Sequence, residues 1–163
     1  MCGIVGFTGR ENALPILIKG LYSLEYRGYD SAGIAAFTRD GLRVVKTQGR
    51  ISNLEEKIQE EGGLDCTCGI GHTRWATHGE PSDRNSHPHL GGRDGKGKVA
   101  VVHNGIIENY KDLRESLEAH GYTFQSETDT ETVAHLVDYL HTGKQEDLAQ
   151  TVLSAVQRIR GSY

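Results

Sequence analysis

Met1-Cys2-Gly3-Ile4-Val5-Gly6-Phe7-Thr8-Gly9 opens the chain, and the reading of these nine residues decides the fold. Residues 2–8 read as a buried strand, with Gly3 and Gly6 leaving room for another group to approach the backbone. Cys2 follows the methionine directly, and its small side chain permits an aminopeptidase to remove Met1. Removal would leave an α-amine, of pKa about 7.7–8.0, and a thiol, of pKa about 8.5, on one residue. The amine could then take the thiol proton near neutral pH, giving a nucleophile with its own base. With Met1 attached, that nitrogen is an amide and cannot serve. The alternative is a small buried cysteine opening a strand. Position 2 taken alone favours that alternative; the rest of the chain reverses the balance.

At 163 residues the chain reads as one domain with room for a core. Lysine and arginine total 18 against 22 acidic residues, a net charge of −4 that gives no support for binding nucleic acid or anionic membranes. No apolar run approaches the roughly 20 residues that span a bilayer, and the N-terminus lacks the pattern of a signal peptide. An odd count of three cysteines argues against a disulfide framework. A reducing cytoplasm is expected, and it suits a free thiol.

Beyond the first strand, Leu14, Leu17, Ile18, Leu21 and Leu24 hold one apolar face and predict a helix from Asn12 to about Glu25. Residues 32–37 and 42–46 predict a hairpin around Asp40-Gly41. Ser52 and Glu55 predict a capping box for a short helix to about Glu61, and Cys66 to Gly71 a strand. Residues 74–97 carry no periodicity, and a loop of that length is usually functional. Residues 99–102 predict a buried strand. Helices follow at about 110–120, from Thr128 with Glu131 as its cap partner, and over Leu148, Val152, Ala155, Val156 and Ile159.

Four polar stretches are left unexplained by packing: Leu24–Gly33, Gly71–Gly79, His103–Asn109 and Ser126–Glu131. Each falls at a strand end or a helix start, where sites are commonly built. Asn104-Gly105 is also the strongest short signal for a hairpin turn. A helical pattern, not a mirrored strand, follows it, which favours a functional reading.

Together with Cys2-Gly3-Ile4, these stretches resemble the glutaminase domain of the N-terminal-nucleophile (class II) glutamine amidotransferases. The resemblance runs in family order from Cys2 to Tyr163 and is most specific at Leu24–Gly33 and His72–Gly79. Within the family it is closest to the branch that aminates fructose 6-phosphate. Amidophosphoribosyltransferases share the cysteine and Asn-Gly but usually differ at Tyr-Arg-Gly-Tyr-Asp and Arg-Trp-Ala-Thr-His.

The resemblance implies an α+β fold, a four-layer α/β/β/α sandwich, incomplete at the C-terminus. It implies that residues 1–163 are the N-terminal portion of a glutaminase domain, without the sugar-isomerase half that binds fructose 6-phosphate, and that the full-length protein is a homodimer. The implied reaction is hydrolysis of the glutamine side-chain amide through a thioester on Cys2, with no metal and no cofactor. Asn104 and the backbone of Gly105 hold the oxyanion, a role in which loss of one donor costs roughly 2.7–4 kcal/mol. Arg74 meets the α-carboxylate of glutamine, as a guanidinium does through two hydrogen bonds, and Asp129 meets the α-ammonium. Thr77 and His78 help hold the carboxylate, Trp75 shuts the ammonia exit, and Arg27 supports the Cys2 region. Each has a plainer alternative. Arg74 could be a solvated loop arginine, Asp129 a helix-start carboxylate and Arg27 a helix-end cation, and Trp75 a core aromatic. A glutaminase of another amidotransferase and an inactive glutamine-binding fragment are the other functional readings.

Other features read as decoys. Gly92–Lys98 nearly spells a phosphate loop, but Val99 replaces the serine or threonine and a strand pattern follows. The histidines 72, 78, 87 and 89 lack metal-ligand spacing. Cys66 and Cys68 lack C-x-x-C spacing and are expected in the core.

Overall fold

The computed structural model describes residues 2–75, 80–93, 97–141 and 147–163. Where the length suggests one domain, the contacts divide the chain into two compact units, residues 1–88 and 89–163. The α+β class with antiparallel sheets holds in both.

The first unit contains β1 (Gly3–Thr8), α1 (Ala13–Leu24), a 3₁₀ turn (Glu25–Arg27), β2 (Ser31–Thr38), β3 (Gly41–Gln48), α2 (Ile51–Glu60) and β4 (Cys68–Arg74). The sheet order is β1-β4-β2-β3, every pair antiparallel. The hairpin closes at Thr38↔Gly41, one position earlier than the Asp40-Gly41 centre, with Gly41 at φ 109° where a side chain would be strained. Asn12 caps α1 by accepting from Leu14 N at 3.0 Å, and the helix buries Ala13, Leu17, Ile18 and Leu21. These pack with Ile34, Val45, Leu54 and Ile58 as one core. Close approach is needed at Gly3, where a Cβ would lie 2.7 Å from Leu24 Cβ, but not at Gly6, whose nearest neighbour is 3.9 Å away.

The expected capping box of α2 does not form. The helix starts at Ile51, one residue before Ser52, and Glu25 from the distant 3₁₀ turn accepts from Ile51 N at 3.2 Å. Glu55 turns instead to Tyr22, whose hydroxyl donates to it at 2.5 Å. A tertiary carboxylate has displaced the local cap. Cys66 lies just before β4 and is buried, which pushes its thiol up in pKa, as suits a core cysteine; Cys68, on the strand, is only half-buried. The loop stretch 82–88 is fastened to β3 and α2: Lys46 Nζ, on β3, donates to the carbonyls of Arg84, Ser86 and Pro88, and Lys57, on α2, pairs with Asp83 at 2.8 Å.

The second unit contains β5 (His89–Gly91), β6 (Val99–Val101), β7 (Ile106–Ile107), α3 (Tyr110–Ala119), α4 (Asp129–Leu140), α5 (Leu148–Val156) and β8 (Gly161–Ser162). β5 pairs with β6, and β7 with β8. The short strands β5, β7 and β8 have no signal in the sequence, because two- and three-residue pairings carry no period. The strand at 99–101 is half-buried where a buried one was expected. Only residues 94–96 of the phosphate-loop look-alike lie outside the described residues, and a strand follows it, as its sequence indicates. Ile107, Leu117, Tyr122, Leu136, Val137, Ala155 and Ile159 form the core. The face expected of α5 is partly wrong: Ala155 and Ile159 are inside, but Leu148 is 53% exposed and Val152 41%. Buried Thr151 takes the inward position instead. No helix among the described residues is long and apolar enough to cross a membrane.

At the start of α4 the capping pattern is displaced. Thr128 occupies the N-cap but makes no side-chain cap bond; its hydroxyl pairs with His89 Nε2 at 2.8 Å. Glu131 reaches past it, accepting from Gln125 N at 2.8 Å, Ser126 N at 2.7 Å and Ser126 Oγ at 2.6 Å, with His135 Nε2 3.5 Å away. Burial alone would raise the pKa of Glu131. The nearby His135 ring and the bonds from Gln125 and Ser126 outweigh it and hold the group at about 2, against an ordinary 4.5. A depressed carboxylate adds stability above its unfolded value and loses it as pH falls through the folded one. Glu131→Gln, which leaves buried donors short of an acceptor, is therefore expected to cost about 1–3 kcal/mol near neutral pH. In thermal unfolding followed by circular dichroism, that difference should narrow between pH 4.5 and about 2. A difference that stays constant over this range would contradict the assignment.

Candidate active site

In the first unit, the antiparallel register Gly3↔Thr73 carries Cys2 to the end of β4. There the Trp75 backbone N–H donates to Cys2 Sγ at 3.3 Å, and Sγ lies 3.7 Å from the Trp75 carbonyl oxygen as a donor. Cys2 is only half-buried, so the thiol remains reachable and the buried-cysteine alternative does not hold. Arg74, the last residue of β4, is 5% exposed, which removes the solvated-loop reading. Trp75 is 44% exposed and meets Tyr29 edge-on at 5.5 Å, so it is not a core aromatic. Arg27 donates from Nε to Tyr26 Oη at 2.9 Å and lies over the Tyr26 ring. Thr77 and His78 lie outside the described residues, as does Met1.

In the second unit, Asn104 and Gly105 lie between β6 and β7, both exposed. A type I′ hairpin needs positive φ at both central residues. Gly105 does not have it, and β7 pairs with β8, not with β6. The hairpin reading of Asn-Gly therefore fails. Gly105 is required by proximity, since a Cβ there would collide with the Ser162 carbonyl oxygen and lie 2.8 Å from His103 Nε2. His103 ties the turn down through Thr130 Oγ1 at 3.1 Å and the Ser162 carbonyl at 3.0 Å. Asp129 Oδ2 accepts from Ile107 N at 2.7 Å. Asp129 is thus both the first residue of α4 and an anchor for the strand that follows Asn104-Gly105, which brings these three predicted residues to one place.

Sequence reasoning missed Thr73, Gly28 and Ser162. Thr73 and Gly28 fall inside the motifs singled out, but what they touch is set by strand register for Thr73 and by packing of the 3₁₀ turn against the end of β4 for Gly28. Ser162 is far away in the chain and has no motif of its own.

A family model described as a glutamine amidotransferase domain matches residues 72–163, more than half of the chain. The chain belongs to this glutamine amidotransferase family. It is 56% identical over 163 residues to the glutamine–fructose-6-phosphate aminotransferase [isomerizing] of Clostridium tetani, and 52% identical to that of Thermus thermophilus, in each case over all of this chain and 26% of the relative. The chain thus spans about a quarter of the length of these curated relatives. Among solved structures it is similar to the glutamine phosphoribosylpyrophosphate amidotransferase of B. subtilis, with 32% identity, TM-score 0.76 and coverage of 99% of this chain and 33% of the other. It is also similar to a structure described as the allosteric regulatory enzyme of purine biosynthesis, with 32% identity, TM-score 0.81 and coverage of 100% and 34%. The fold is the α+β fold of the N-terminal-nucleophile amidotransferases.

Proposed function

We propose that residues 1–163 form the N-terminal portion of a glutaminase domain that hydrolyses the side-chain amide of glutamine, and that in the longer protein the ammonia serves synthesis of glucosamine 6-phosphate from fructose 6-phosphate. The observation that carries the reading is the accessible Cys2 thiol held against the Arg74–Trp75 backbone, in a chain of this family. With Met1 removed, the α-amine of Cys2 takes the thiol proton. The thiolate attacks the amide carbon, and the charge passing to the amide oxygen is met by the Asn104 side-chain amide and the Gly105 N–H. The ammonium returns its proton to the nitrogen, the C–N bond breaks, and ammonia leaves a glutamyl thioester on Cys2. Water, deprotonated by the same amine, attacks the thioester; glutamate departs and the thiol is restored. Thr77 and His78 help hold the α-carboxylate, Trp75 shuts the ammonia exit, and Arg27 supports the Cys2 region. Amination of fructose 6-phosphate is favoured over a phosphoribosyl acceptor by the identity levels, 56% against 32%. The sugar-isomerase half, the homodimer and a cytoplasmic setting belong to the proposed longer protein.

The test uses substrate orientation. Arg74 holds the α-carboxylate and Asp129, with its second oxygen, the α-ammonium. These groups are remote from the reacting amide, so their loss should appear mainly in KM. A truncated charge pair in such a site costs about 2 kcal/mol or more, roughly thirtyfold. Arg74→Ala should erase the preference for glutamine over its α-amide analogue, and Asp129→Asn the preference over the analogue lacking the amino group. If both variants keep both preferences, the assigned pocket is wrong.

A further inference from the structure

We propose that the peptide unit joining Arg74 to Trp75 is a fixed hydrogen-bond donor for the Cys2 sulfur, and that Gly28 and Thr73 are the residues that position it. Only the kinetic consequence of this proposal rests on the function proposed above.

The peptide is held on three sides. Its N–H donates to Cys2 Sγ at 3.3 Å. Its carbonyl, Arg74 O, accepts from Asp30 N at 3.1 Å. Its flat face lies against Gly28, where a Cβ would stand 2.7 Å from Arg74 C, 2.8 Å from Trp75 N and 2.9 Å from Arg74 O. Those three atoms belong to the one peptide, and they are backbone, which cannot swing aside. Gly28 is buried, so nothing larger than its hydrogen fits between the 3₁₀ turn and β4. The backbone that carries the sulfur is anchored as well: Gly3 N donates to Thr73 Oγ1 at 3.1 Å, which holds the residue after Cys2 in register.

The chemistry follows from the direction of the peptide dipole, about 3.5 D with its positive end at the N–H. A donor aimed at sulfur stabilises the thiolate more than the thiol, and hydrogen bonds to charged groups are the strong ones. The thiolate is the reactive form. As a thiol, Cys2 instead donates to the Trp75 carbonyl oxygen at 3.7 Å. The backbone of one residue therefore serves both protonation states of the sulfur, whichever group removes the proton. Gly28 and Thr73 touch no reacting atom and are positioning residues. The Tyr-Arg-Gly segment thereby gains a reason for its glycine that neither turn conformation nor the assigned side-chain roles supply.

The experiment measures alkylation of Cys2 by iodoacetamide in the whole chain at neutral pH, with each cysteine followed by peptide mass spectrometry and Cys68 as internal reference. Gly28→Ala pushes the peptide off its seat; Thr73→Val keeps the shape of the side chain and removes the acceptor for Gly3 N. Loss of a hydrogen bond to a charged group predicts that Cys2 alkylation slows at least about tenfold in Gly28→Ala and less in Thr73→Val, with Cys68 unchanged. Glutamine hydrolysis should lose kcat by a similar factor while KM stays within about threefold. Cys2 rates within twofold of the parent in the folded variants overturn the proposal. If circular dichroism shows Gly28→Ala unfolded, Thr73→Val decides alone. If the parent fails to hydrolyse glutamine while the alkylation rates fall as stated, the proposed function is lost and this inference stands.

Discussion

Cys2→Ala is expected to abolish glutamate release from glutamine, a loss of roughly 10⁶ in kcat if the thiol is the nucleophile of a covalent mechanism. The fall is that large because the covalent bond made by the sulfur is lost and water must attack an unactivated amide. The same logic fixes the state of the N-terminus. Sγ meets the backbone N–H and carbonyl of Trp75, which donate and accept but cannot remove a proton at neutral pH. The mechanism requires a base, and the α-amine is within reach of its own side chain. Active protein should therefore begin at Cys2. Intact-mass analysis of material sorted by glutamate production checks this. Cys2→Ala activity within tenfold of the parent, or full activity with Met1 retained, would sink the mechanism.

Asn104→Ala is expected to lower kcat by roughly 10²–10³ and leave KM nearly unchanged. Asn104 is exposed, but the turn that carries it is fixed by Gly105 against Ser162, by His103 between Thr130 and Ser162, and by Asp129 on Ile107 N. Those anchors belong to other residues and remain in place when the Asn104 amide is removed. A donor matched to a developing oxyanion contributes in the transition state and little to the bound amide, which is why kcat takes the loss. Steady-state kinetics with glutamine decide the point. A loss confined to KM would make Asn104 a substrate-binding residue.

Much of the local architecture could be read from the chain. The start of α1 near Asn12 and its i, i+3, i+4 apolar face are local properties, and both appear as expected. The hairpin of β2 and β3 is equally local. The failures share one cause. At α2 a capping box lost to Glu25, a carboxylate 26 residues away from the amide it caps. At α4, Thr128 gave up its cap bond for His89. On α5, Thr151 went inside while Leu148 stayed out. In each, a tertiary partner offered a better hydrogen bond or packing site than the local one, and nothing in the local sequence encodes that partner.

The candidate site divides in the same way. By itself the sequence determined which chemical groups are available: a thiol at position 2, an amide and glycine at 104–105, a guanidinium at 74 and a carboxylate at 129. Residue types and their order are enough for that. Only the tertiary structure decided that Cys2 faces the Trp75 backbone, that Gly28 is a glycine because a peptide lies on it, and that Asp129 steadies the strand after Gly105. The physical reason is that hydrogen-bond geometry and close backbone approach are set within a few tenths of an ångström by strand register and by packing between elements distant in the chain, whereas sequence spacing fixes only which residues share a strand or a turn.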